Sequence, residues 1–441
     1  TKMKVLKFGG TSVGSAQRMK EVAKLITDGE QKIVVLSAMS GTTNTLVEIS
    51  DYLYKKNPEG ANEIINKLEA KYKQHIDELF ATQEYKQKGL EVVKSHFDYI
   101  RSYTKDLFTL FEEKVVLAQG ELISTAMVNF YLQECGVKSV LLPALEFMRT
   151  DKNAEPDPVY IKDKLRAQLD LYPDTEIYIT QGFICRNAYG EIDNLQRGGS
   201  DYTASLIGAA VNASEIQIWT DIDGMHNNDP RIVDKTAPVR QLHFEEAAEL
   251  AYFGAKILHP TCIQPAKYAN IPVRLLNTMD PEAPGTLISN DTEKGKIKAV
   301  AAKDNITAIK IKSSRMLLAH GFLRKVFEIF ESYQTSIDMI CTSEVGVSVT
   351  IDNTKHLNEI LDDLKKYGTV TVDKEMCIIC VVGDLEWENV GFEAKALDAM
   401  RDIPVRMISF GGSNYNISFL IRECDKKVAL QSLSDMLFNG K

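Results

Sequence analysis

A lysine, two glycines and two hydroxyl residues near the N-terminus form a segment suited to holding phosphate. Residues 4–14 read Lys-Val-Leu-Lys-Phe-Gly-Gly-Thr-Ser-Val-Gly. Lys7 supplies a positive charge, and Gly9 and Gly10 have no Cβ, so main-chain N–H groups can approach an anion closely. Apolar residues recur at helical spacing after Ser12, and the dipole of that helix would face the same anion. This is not a Walker A loop, since no Gly-Lys-Ser/Thr closes it, and a glycine turn that binds nothing remains the alternative.

A second candidate segment combines an arginine with two glycines, a hydroxyl and an acid. Arg197-Gly198-Gly199-Ser200-Asp201 precedes a helix predicted over 202–213. A guanidinium group can bind a carboxylate or a phosphate through two hydrogen bonds, and the glycines permit close approach of the main chain. The alternative is that Ser200 or Asp201 is only a helix N-cap, which leaves the Arg-Gly-Gly sequence unexplained.

Other polar groups carry weaker signals. The loop 220–224 and the triplet 229–231 contain acids, but their spacing is not that of an EF-hand. His259 precedes a proline and is interpreted as structural. Cys377 and Cys380 lie inside an apolar run, which favours two buried strand cysteines over a metal or redox site.

The elements around these segments alternate strands with helices. A strand at 32–38 follows the first helix and completes a βαβ unit, so the loop 37–44 lies at the carboxyl edge where open α/β sheets bind ligands. Residues 60–116 predict an inserted helical hairpin, and residues 120–125 are predicted to open a further helix. Further strands are predicted near 138–142, 176–184, 215–219 and 272–276, and helices from 244 to about 255 and up to 270.

The C-terminal part contains an internal repeat. Composition shifts to Pro, Gly, Asp and Lys around 277–300, which indicates a domain boundary. Residues 321–351 align with 391–421 at a constant offset of 70. In both copies the sequence predicts the same order of elements: strand, helix, strand, strand and helix. Identical pairs are Gly321/Gly391, Phe322/Phe392, Lys325/Lys395, Ser343/Ser413, Ser348/Ser418 and Ile351/Ile421.

Composition restricts the class of protein. With 441 residues, the chain is expected to form two or three domains. The net charge of -9 argues against a nucleic-acid partner, which would require a basic face. No uninterrupted apolar run reaches the length of a membrane span, and seven scattered cysteines favour a reducing compartment, so a cytoplasmic location without membrane contact is expected.

Five motifs in order resemble those of the aspartokinases of the amino acid kinase superfamily. They are Lys7 to Val13, Gly120 to Thr125, Arg197 to Asp201, Thr220 to Gly224 with Asp229 to Arg231, and Lys256 to Pro260. The resemblance covers essentially the whole chain and implies an α/β amino acid kinase fold, a mostly parallel sheet between helices, followed by two ferredoxin-like βαββα ACT domains. It implies a catalytic domain over 1–295 and ACT domains over 305–374 and 375–441. The chain resembles the monofunctional, lysine-sensitive type.

The resemblance implies ATP-dependent phosphorylation of L-aspartate to 4-phospho-L-aspartate, with Mg²⁺ accompanying ATP. It implies catalytic roles for Lys7 and Asp201. By position, the residues expected around aspartate are Thr43, Glu121, Phe183, Arg197 and Ser200. Those expected around the nucleotide are Lys7, Phe8, Gly9, Gly10, Thr220, Asp221, His226, Arg231, Lys256 and Ile257, with His226 standing where many relatives have tyrosine.

The repeat resembles effector-binding ACT domains. The resemblance implies inhibition by L-lysine, with Asp338 as the partner of the effector ammonium, and a homo-oligomer formed through these domains. Effector positions are Met316, Ala319, Gly321, Phe322, Leu323, Ser336, Ile337, Asp338, Thr342 and Ser343. Two alternatives remain: a related kinase acting on another small acid, and a non-catalytic amino-acid sensor that keeps the kinase fold.

Overall fold

The computed structural model describes residues 2–196, 198–255, 258–313 and 320–439. The chain forms two compact units, one of residues 1–225 and 257–290 and the other of residues 226–256 and 291–441. The segment 226–256, which the sequence analysis placed in the first domain, therefore groups with the C-terminal residues.

The chain begins with strand, helix and strand, as the sequence predicts, and four α-helices then follow in succession. The strands are β1 Lys4–Phe8, β2 Lys32–Leu36, β3 Ser139–Leu142, β4 Ile177–Gln181, β5 Ile184–Arg186, β6 Ile192–Asn194, β7 Glu215–Thr220, β8 Met225–His226, β9 Pro238–Val239, β10 Gln241–His243, β11 Val273–Asn277, β12 Thr286–Ser289, β13 Ile297–Lys312, β14 Ile340–Thr342, β15 Gly346–Ile351, β16 Thr369–Gly383, β17 Met407–Ser409 and β18 Asn416–Arg422. The helices are α1 Ala16–Ile26, α2 Thr42–Tyr54, α3 Pro58–Leu79, α4 Gln83–Ser102, α5 Leu110–Glu134, α6 Ala144–Phe147, α7 Pro158–Asp170, α8 Gly199–Val211, α9 Phe244–Tyr252, α10 Pro260–Tyr268, α11 Phe322–Ser332, α12 Leu357–Leu364, α13 Phe392–Ala399 and α14 Lys426–Leu437.

The first unit is built on a mostly parallel sheet. Its strands lie in the order β12-β11-β7-β1-β2-β4-β3, and only the β11–β12 pair in this order is antiparallel. Every residue of β2 and β4 is buried, which explains the apolar runs 33–36 and 177–179 within them. The helices α1 to α5 pack into one core with β1, β2 and β4.

Helix α5 belongs to this core. It is long and apolar enough to cross a membrane by length and composition, but 83% of its most apolar window is buried inside the protein. Val116, Ile123, Met127 and Leu132 on this helix all contribute to the core of the first unit. Its apolar composition therefore reflects packing between the sheet and the neighbouring helices.

The second unit contains the repeat as one continuous antiparallel sheet in the order β14-β15-β13-β16-β18-β17. The copies correspond closely: Gly321 and Gly391 are both left-handed N-caps, with φ of +87° and +94°, and helices begin at Phe322 and Phe392. Helices α11 and α12 cover one half of the sheet, and α13 and α14 cover the other half. Cys377 and Cys380 are fully buried on β16, as their apolar surroundings predict.

Candidate active site

An ion pair joins the first strand to helix α8. Lys7 lies on β1, which pairs with β2 on one side and with β7 on the other. Its Nζ is 2.9 Å from Oδ1 of Asp201 in the first turn of α8, and the two side chains are 12% and 19% exposed. Such burial reduces screening by water and strengthens the attraction between the two charges. The two residues predicted to be catalytic are therefore in contact.

The glycine loop after β1 lies directly against the loop after β2. A Cβ at Gly10 would lie 2.9 Å from the carbonyl oxygen of Ala38, and the N–H of Ser40 donates to the Gly10 carbonyl over 3.0 Å. A Cβ at Gly9 would lie 3.3 Å from Nζ of Lys7. A side chain at Gly10 would displace the main chain of the loop after β2, so the close approach of the two loops requires glycine at this position.

The helix after this loop begins later than the sequence pattern suggests. Ser15 is the N-cap of α1, and its Oγ accepts a hydrogen bond from the N–H of Arg18 at 3.2 Å. Between strand and helix, the N–H of Ser12 donates to the Gly9 carbonyl over 3.1 Å. The Oγ of Ser12 is buried and has no hydrogen-bond partner among the described residues. An unpaired buried hydroxyl is uncommon in folded proteins.

A cavity of about 290 Å³ opens beside these loops. This volume is at the lower end for small-molecule sites and suits a metabolite of amino-acid size. The cavity is lined by Gly10, residues 37–41, Thr43, Asn44, Glu121, Phe183, Gly199 and Ser200. Four of the five residues predicted to bind the substrate are thus brought together, and the fifth, Arg197, lies outside the described residues.

Glu121 presents a buried carboxyl group to the cavity. The residue is 3% exposed, and Oε2 has no hydrogen-bond partner within residues 2–196, 198–255, 258–313 and 320–439. Burial raises the pKa of Glu121 from its ordinary value of 4.5 to about 8, although main-chain hydrogen bonds, including one from Ala38, act in the opposite direction. A ligand ammonium group would stabilise the ionised carboxylate and pair the free oxygen. The site is therefore suited to an amino group.

Glu121 lies in the middle of a helix, so the prediction that a helix opens at Gly120 is wrong. Helix α5 begins at Leu110, where Thr109 and Glu112 form a capping box. Glycine in a helix interior costs about 1 kcal/mol relative to alanine. Here a Cβ at Gly120 would lie 2.9 Å from the Cβ of Ala38. The glycine lets α5 pack against the loop after β2, and this packing brings Glu121 to the cavity.

The Arg-Gly-Gly segment ends in two glycines with left-handed main chain. Gly198, the N-cap of α8, and Gly199, its first residue, have φ of +75° and +47°. Neither Ser200 nor Asp201 caps the helix, so the alternative that assigned them only this role is wrong. The Oγ of Ser200 instead accepts a hydrogen bond from Oγ of Ser37 at 2.9 Å. The first turn of α8 thus directs one side chain to the loop after β2 and another to Lys7.

The residues expected around the nucleotide in the first unit lie at the ends of two strands. The ring of Phe8 is fully buried and stacks on Trp219 with centroids 5.6 Å apart, so a ligand contact of Phe8 would come from its main chain. Thr220 ends β7, and its Oγ1 accepts a hydrogen bond from the N–H of Ile222 at 3.3 Å. Asp221 follows directly and is exposed.

The remaining nucleotide residues belong to the second unit or lie outside the described residues. Nδ1 of His226 is 2.8 Å from Oγ1 of Thr236. Arg231 forms a two-point ion pair with Asp229, with Nε and Nη2 at 3.0 and 2.9 Å from the carboxylate oxygens, and this contact lowers the pKa of Asp229. Lys256 and Ile257 are not among the described residues. The nucleotide site remains a prediction.

Asp338, the predicted effector residue, is part of a charged cluster in the second unit. Its side chain is 2% exposed, and Oδ1 accepts from Nζ of Lys303 at 3.1 Å and from the hydroxyl of Tyr252 at 3.2 Å. Lys303 also pairs with Asp352 at 3.0 Å and lies over the ring of Tyr252. Burial raises the pKa of Asp338, and the nearby Lys303 opposes this. Oδ2 lacks a hydrogen-bond partner among the described residues and can accept from a further cation.

The other effector residues lie near the start of α11 and around the turn after β14. Gly321 caps α11, whose first residues are Phe322 and Leu323, and the N–H of Ser343 donates to the Gly346 carbonyl at 2.9 Å. Thr342 ends β14. Ser336 and Ile337 directly precede Asp338 in the chain, and Met316 and Ala319 lie outside the described residues.

Sequence reasoning missed several residues of the two sites. Ser37, Ser40 and Asn44 line the cavity, and their only sequence signal was their place after a buried strand. Lys303 and Tyr252 reach Asp338 from positions 35 and 86 residues away. No local pattern predicts such pairs.

Comparisons with known proteins agree with the fold. Residues 2–277 match the model of the amino acid kinase family, and residues 379–437 match an ACT domain model. Aspartokinase 1, chloroplastic, of Arabidopsis thaliana is 36% identical over 99% of this chain and 80% of its own length. Lysine-sensitive aspartokinase 3 of Escherichia coli is 32% identical over 98% of this chain and 99% of its own length.

A solved structure extends this likeness to three dimensions. The crystal structure of E. coli aspartokinase III in complex with aspartate and ADP matches with a TM-score of 0.83 and 31% identity, covering 99% of this chain and 100% of that chain. The predicted fold class is therefore confirmed. On these sequence and structural matches, the chain belongs to the amino acid kinase family and, within it, to the aspartokinases.

Proposed function

We propose that the protein transfers the terminal phosphoryl group of ATP to the side-chain carboxylate of L-aspartate, giving 4-phospho-L-aspartate and ADP. This reaction begins the synthesis of aspartate-derived amino acids such as lysine, threonine and methionine. The observation that carries the proposal is the Lys7–Asp201 ion pair beside a cavity that also contains the buried carboxyl of Glu121. Relatives named aspartokinases over nearly the full chain support the same reaction.

The acceptor needs no general base in this reaction. A side-chain carboxylate with an ordinary pKa near 4 is already ionised at neutral pH. The protein must instead hold two anions in line and reduce the repulsion between them. Lys7 provides a positive charge for the transferring phosphoryl group, and the glycine loop beside it provides main-chain N–H donors.

Asp201 has a positioning role toward Lys7. At 2.9 Å, its carboxylate attracts the ammonium group and limits the rotation of a long side chain. Both partners sit on rigid elements, β1 and the first turn of α8. Pre-organisation of this kind removes the need to reorient the charge during the reaction.

The cavity holds aspartate by its charged ends. Glu121 binds the α-ammonium group, for which its burial and unpaired oxygen fit. Thr43, Phe183 and Ser200 line the remaining walls. Arg197 takes a carboxylate of the substrate through its guanidinium group.

ATP enters as its magnesium complex. Among the described residues, no group of three or more His, Cys, Asp or Glu side chains could hold a metal ion. Mg²⁺ would be held mainly by phosphate oxygens, as is common for this hard cation. Thr220, Asp221, His226, Arg231, Lys256 and Ile257 are proposed to contact the nucleotide.

The second unit is proposed to regulate the enzyme. L-lysine binds through its ammonium group to Asp338 and inhibits turnover allosterically, by analogy with the lysine-sensitive relative. The buried carboxylate with one unpaired oxygen supports this choice of residue. We further propose a catalytic domain over 1–295, ACT domains over 305–374 and 375–441, a cytoplasmic location, and a homo-oligomer formed through the ACT domains.

The test is a coupled assay of ADP release with ATP and a panel of small acids. Aspartate-dependent turnover that disappears in Lys7→Ala is expected. Turnover with glutamate or carbamate, but not with aspartate, would instead indicate a related kinase with another acceptor. Binding of amino acids without turnover on any acid would indicate a sensor. Lysine titration at fixed aspartate and ATP then tests the regulatory part.

A further inference from the structure

Phe183, in the wall of the cavity, has a main-chain conformation that residues other than glycine rarely adopt. Its φ is +74°. The N–H of Ile184 donates to the carbonyl of Gly182 at 2.8 Å, so these three residues form a γ-turn with a left-handed centre, the rarer and strained form of this turn. Such conformations persist only where the surrounding structure holds them, and they cluster at functional sites.

Both main-chain polar groups of Phe183 are fixed by neighbours. Its carbonyl accepts from the N–H of Leu195 at 2.8 Å. Its N–H donates to Oγ1 of Thr203 at 2.9 Å. Thr203 is fully buried on α8, two positions after Asp201. A side chain of the helix that carries Asp201 therefore holds the strained residue between β4 and β5.

The Thr203 hydroxyl also contacts a second residue that lines the cavity. Oγ1 donates to the carbonyl of Gly199 at 3.4 Å, and Gly199 lines the cavity together with Phe183. A hydroxyl can donate one hydrogen bond and accept others at the same time, which a valine of the same shape cannot do. One buried oxygen thus connects the γ-turn to the left-handed start of α8.

We infer that Thr203 is a positioning residue for the aspartate pocket, an inference that rests on the proposed function for the identity of the substrate. Thr203 does not line the cavity. It acts through Phe183 and Gly199, and its two hydrogen bonds keep these two lining residues in place. Without its hydroxyl, the N–H of Phe183 loses its acceptor, and the strained turn can relax toward an extended conformation. The part of the cavity lined by Phe183 and Gly199, where aspartate is proposed to bind, then changes its conformation. The glycine loop after β1 is unchanged.

The experiment compares Thr203→Val, which removes the hydroxyl and keeps the volume, with Thr203→Ser, which keeps the hydroxyl. Thr180→Val is the matched control, because Thr180 is a fully buried threonine on β4 whose Oγ1 has no hydrogen-bond partner in the part of the chain that the structure describes. For each full-length variant, kcat, the KM for aspartate, the KM for ATP and the melting temperature are measured.

Thr203→Val is expected to raise the KM for aspartate on the order of ten-fold, as loss of a buried hydrogen bond suggests. Its KM for ATP should stay within about two-fold of the wild-type value. In Thr203→Ser and Thr180→Val, the KM values for aspartate and for ATP should both stay within about three-fold of the wild-type values. An unchanged aspartate KM in Thr203→Val, or an equal rise in Thr180→Val, would overturn the inference. A parallel loss for both substrates would do the same, since it indicates only general destabilisation.

A second measurement tests the strain without any substrate. Glycine adopts positive φ without strain, so Thr203→Val should lower the melting temperature less in a Phe183→Gly background than in the wild-type background. Equal losses in both backgrounds contradict the inference. If Thr203→Val alone does not accumulate as folded protein, Phe183→Gly is expected to restore it, and failure to do so also contradicts the inference. This thermal cycle remains decisive even if the wild-type protein does not phosphorylate aspartate, an outcome that would reject the proposed function alone.

Discussion

Replacing Glu121 by glutamine should make the protein more stable at alkaline pH and leave it little changed at acid pH. Burial raises the pKa of this carboxyl from 4.5 to about 8. Between these values the folded protein keeps the proton and the unfolded chain has lost it. The unfolded state thus binds fewer protons, so the free energy of unfolding falls as pH rises through this window. At about 1.36 kcal/mol for each pH unit, the loss contributed by Glu121 reaches on the order of 4 kcal/mol.

Glutamine cannot ionise and does not suffer this loss. Denaturant unfolding of the wild-type protein and Glu121→Gln, without ligands, should therefore show a stability difference that grows from about pH 5 to about pH 8 in favour of the variant. Glu112→Gln is the matched control on the same helix. Its hydrogen bond from Thr109 lowers the pKa of Glu112, so its substitution should not produce a growing advantage at alkaline pH.

The same carboxyl should make aspartate binding depend on pH. An ammonium ligand requires the ionised form of Glu121, so binding releases a proton when the free enzyme is protonated. With a pKa of about 8, the KM for aspartate should fall roughly 20-fold between about pH 6.5 and about pH 8.5. In Glu121→Gln, the KM should be higher at alkaline pH and nearly constant over this range.

Two results would refute this reasoning at different points. A stability difference between wild type and Glu121→Gln that does not change with pH would mean that the carboxyl is not held protonated in the folded state. A growing stability difference combined with a wild-type aspartate KM in Glu121→Gln would leave the burial argument intact. It would exclude Glu121 as the ammonium partner.

Four further substitutions test the remaining parts of the two sites. Asp201→Asn should lower kcat on the order of 10²-fold while the KM for aspartate changes little, because the ion pair orients Lys7 for the reaction; steady-state kinetics over both substrates separates the two parameters. Gly10→Ala should lower the free energy of unfolding by about 1–3 kcal/mol and raise the KM for ATP, because its Cβ would lie 2.9 Å from a carbonyl oxygen. Lys303→Met removes the positive charge that pairs with Asp338 and Asp352, so a lower lysine concentration should give half-inhibition. Asp338→Ala should instead raise the lysine concentration needed for half-inhibition. Titration of turnover with lysine measures both effects, and unchanged inhibition in Asp338→Ala would reject the role of this residue.

The parts of the site that the sequence could predict depend on local signals. The glycine loop after β1 and the turn before α8 each combine glycines with polar residues inside a short segment, so their chemistry is readable without a structure. The C-terminal repeat is equally local, since Gly321 and Gly391 take the same left-handed N-cap conformation within matching sequences. In each case a short stretch of chain contains both the signal and the structure that it specifies.

The parts that the sequence could not predict depend on tertiary packing. The sequence predicts a helix start at Gly120, but α5 begins at Leu110, and packing on Ala38 outweighs the low helix propensity of this interior glycine. The hydrogen bond from Phe183 to Thr203 joins residues 20 positions apart in the chain. Phe183 also has a positive φ, which the presence of a phenylalanine in the sequence does not predict. Such contacts are decided by which elements become neighbours.

Strand register explains how distant loops meet at one place. In the parallel pairing of β1, β2, β4 and β7, Phe8 lies opposite Leu36 and Trp219, and Leu36 lies opposite Gln181. The loops that follow these four residues therefore leave the sheet side by side at its carboxyl edge, where ligands bind in such folds. Side chains alternate along a strand, so Phe8 enters the core while Lys7 points to the other face and reaches α8. A shift of β1 by one residue would exchange these two side chains, so the buried aromatic contact of Phe8 also fixes the position of the lysine charge.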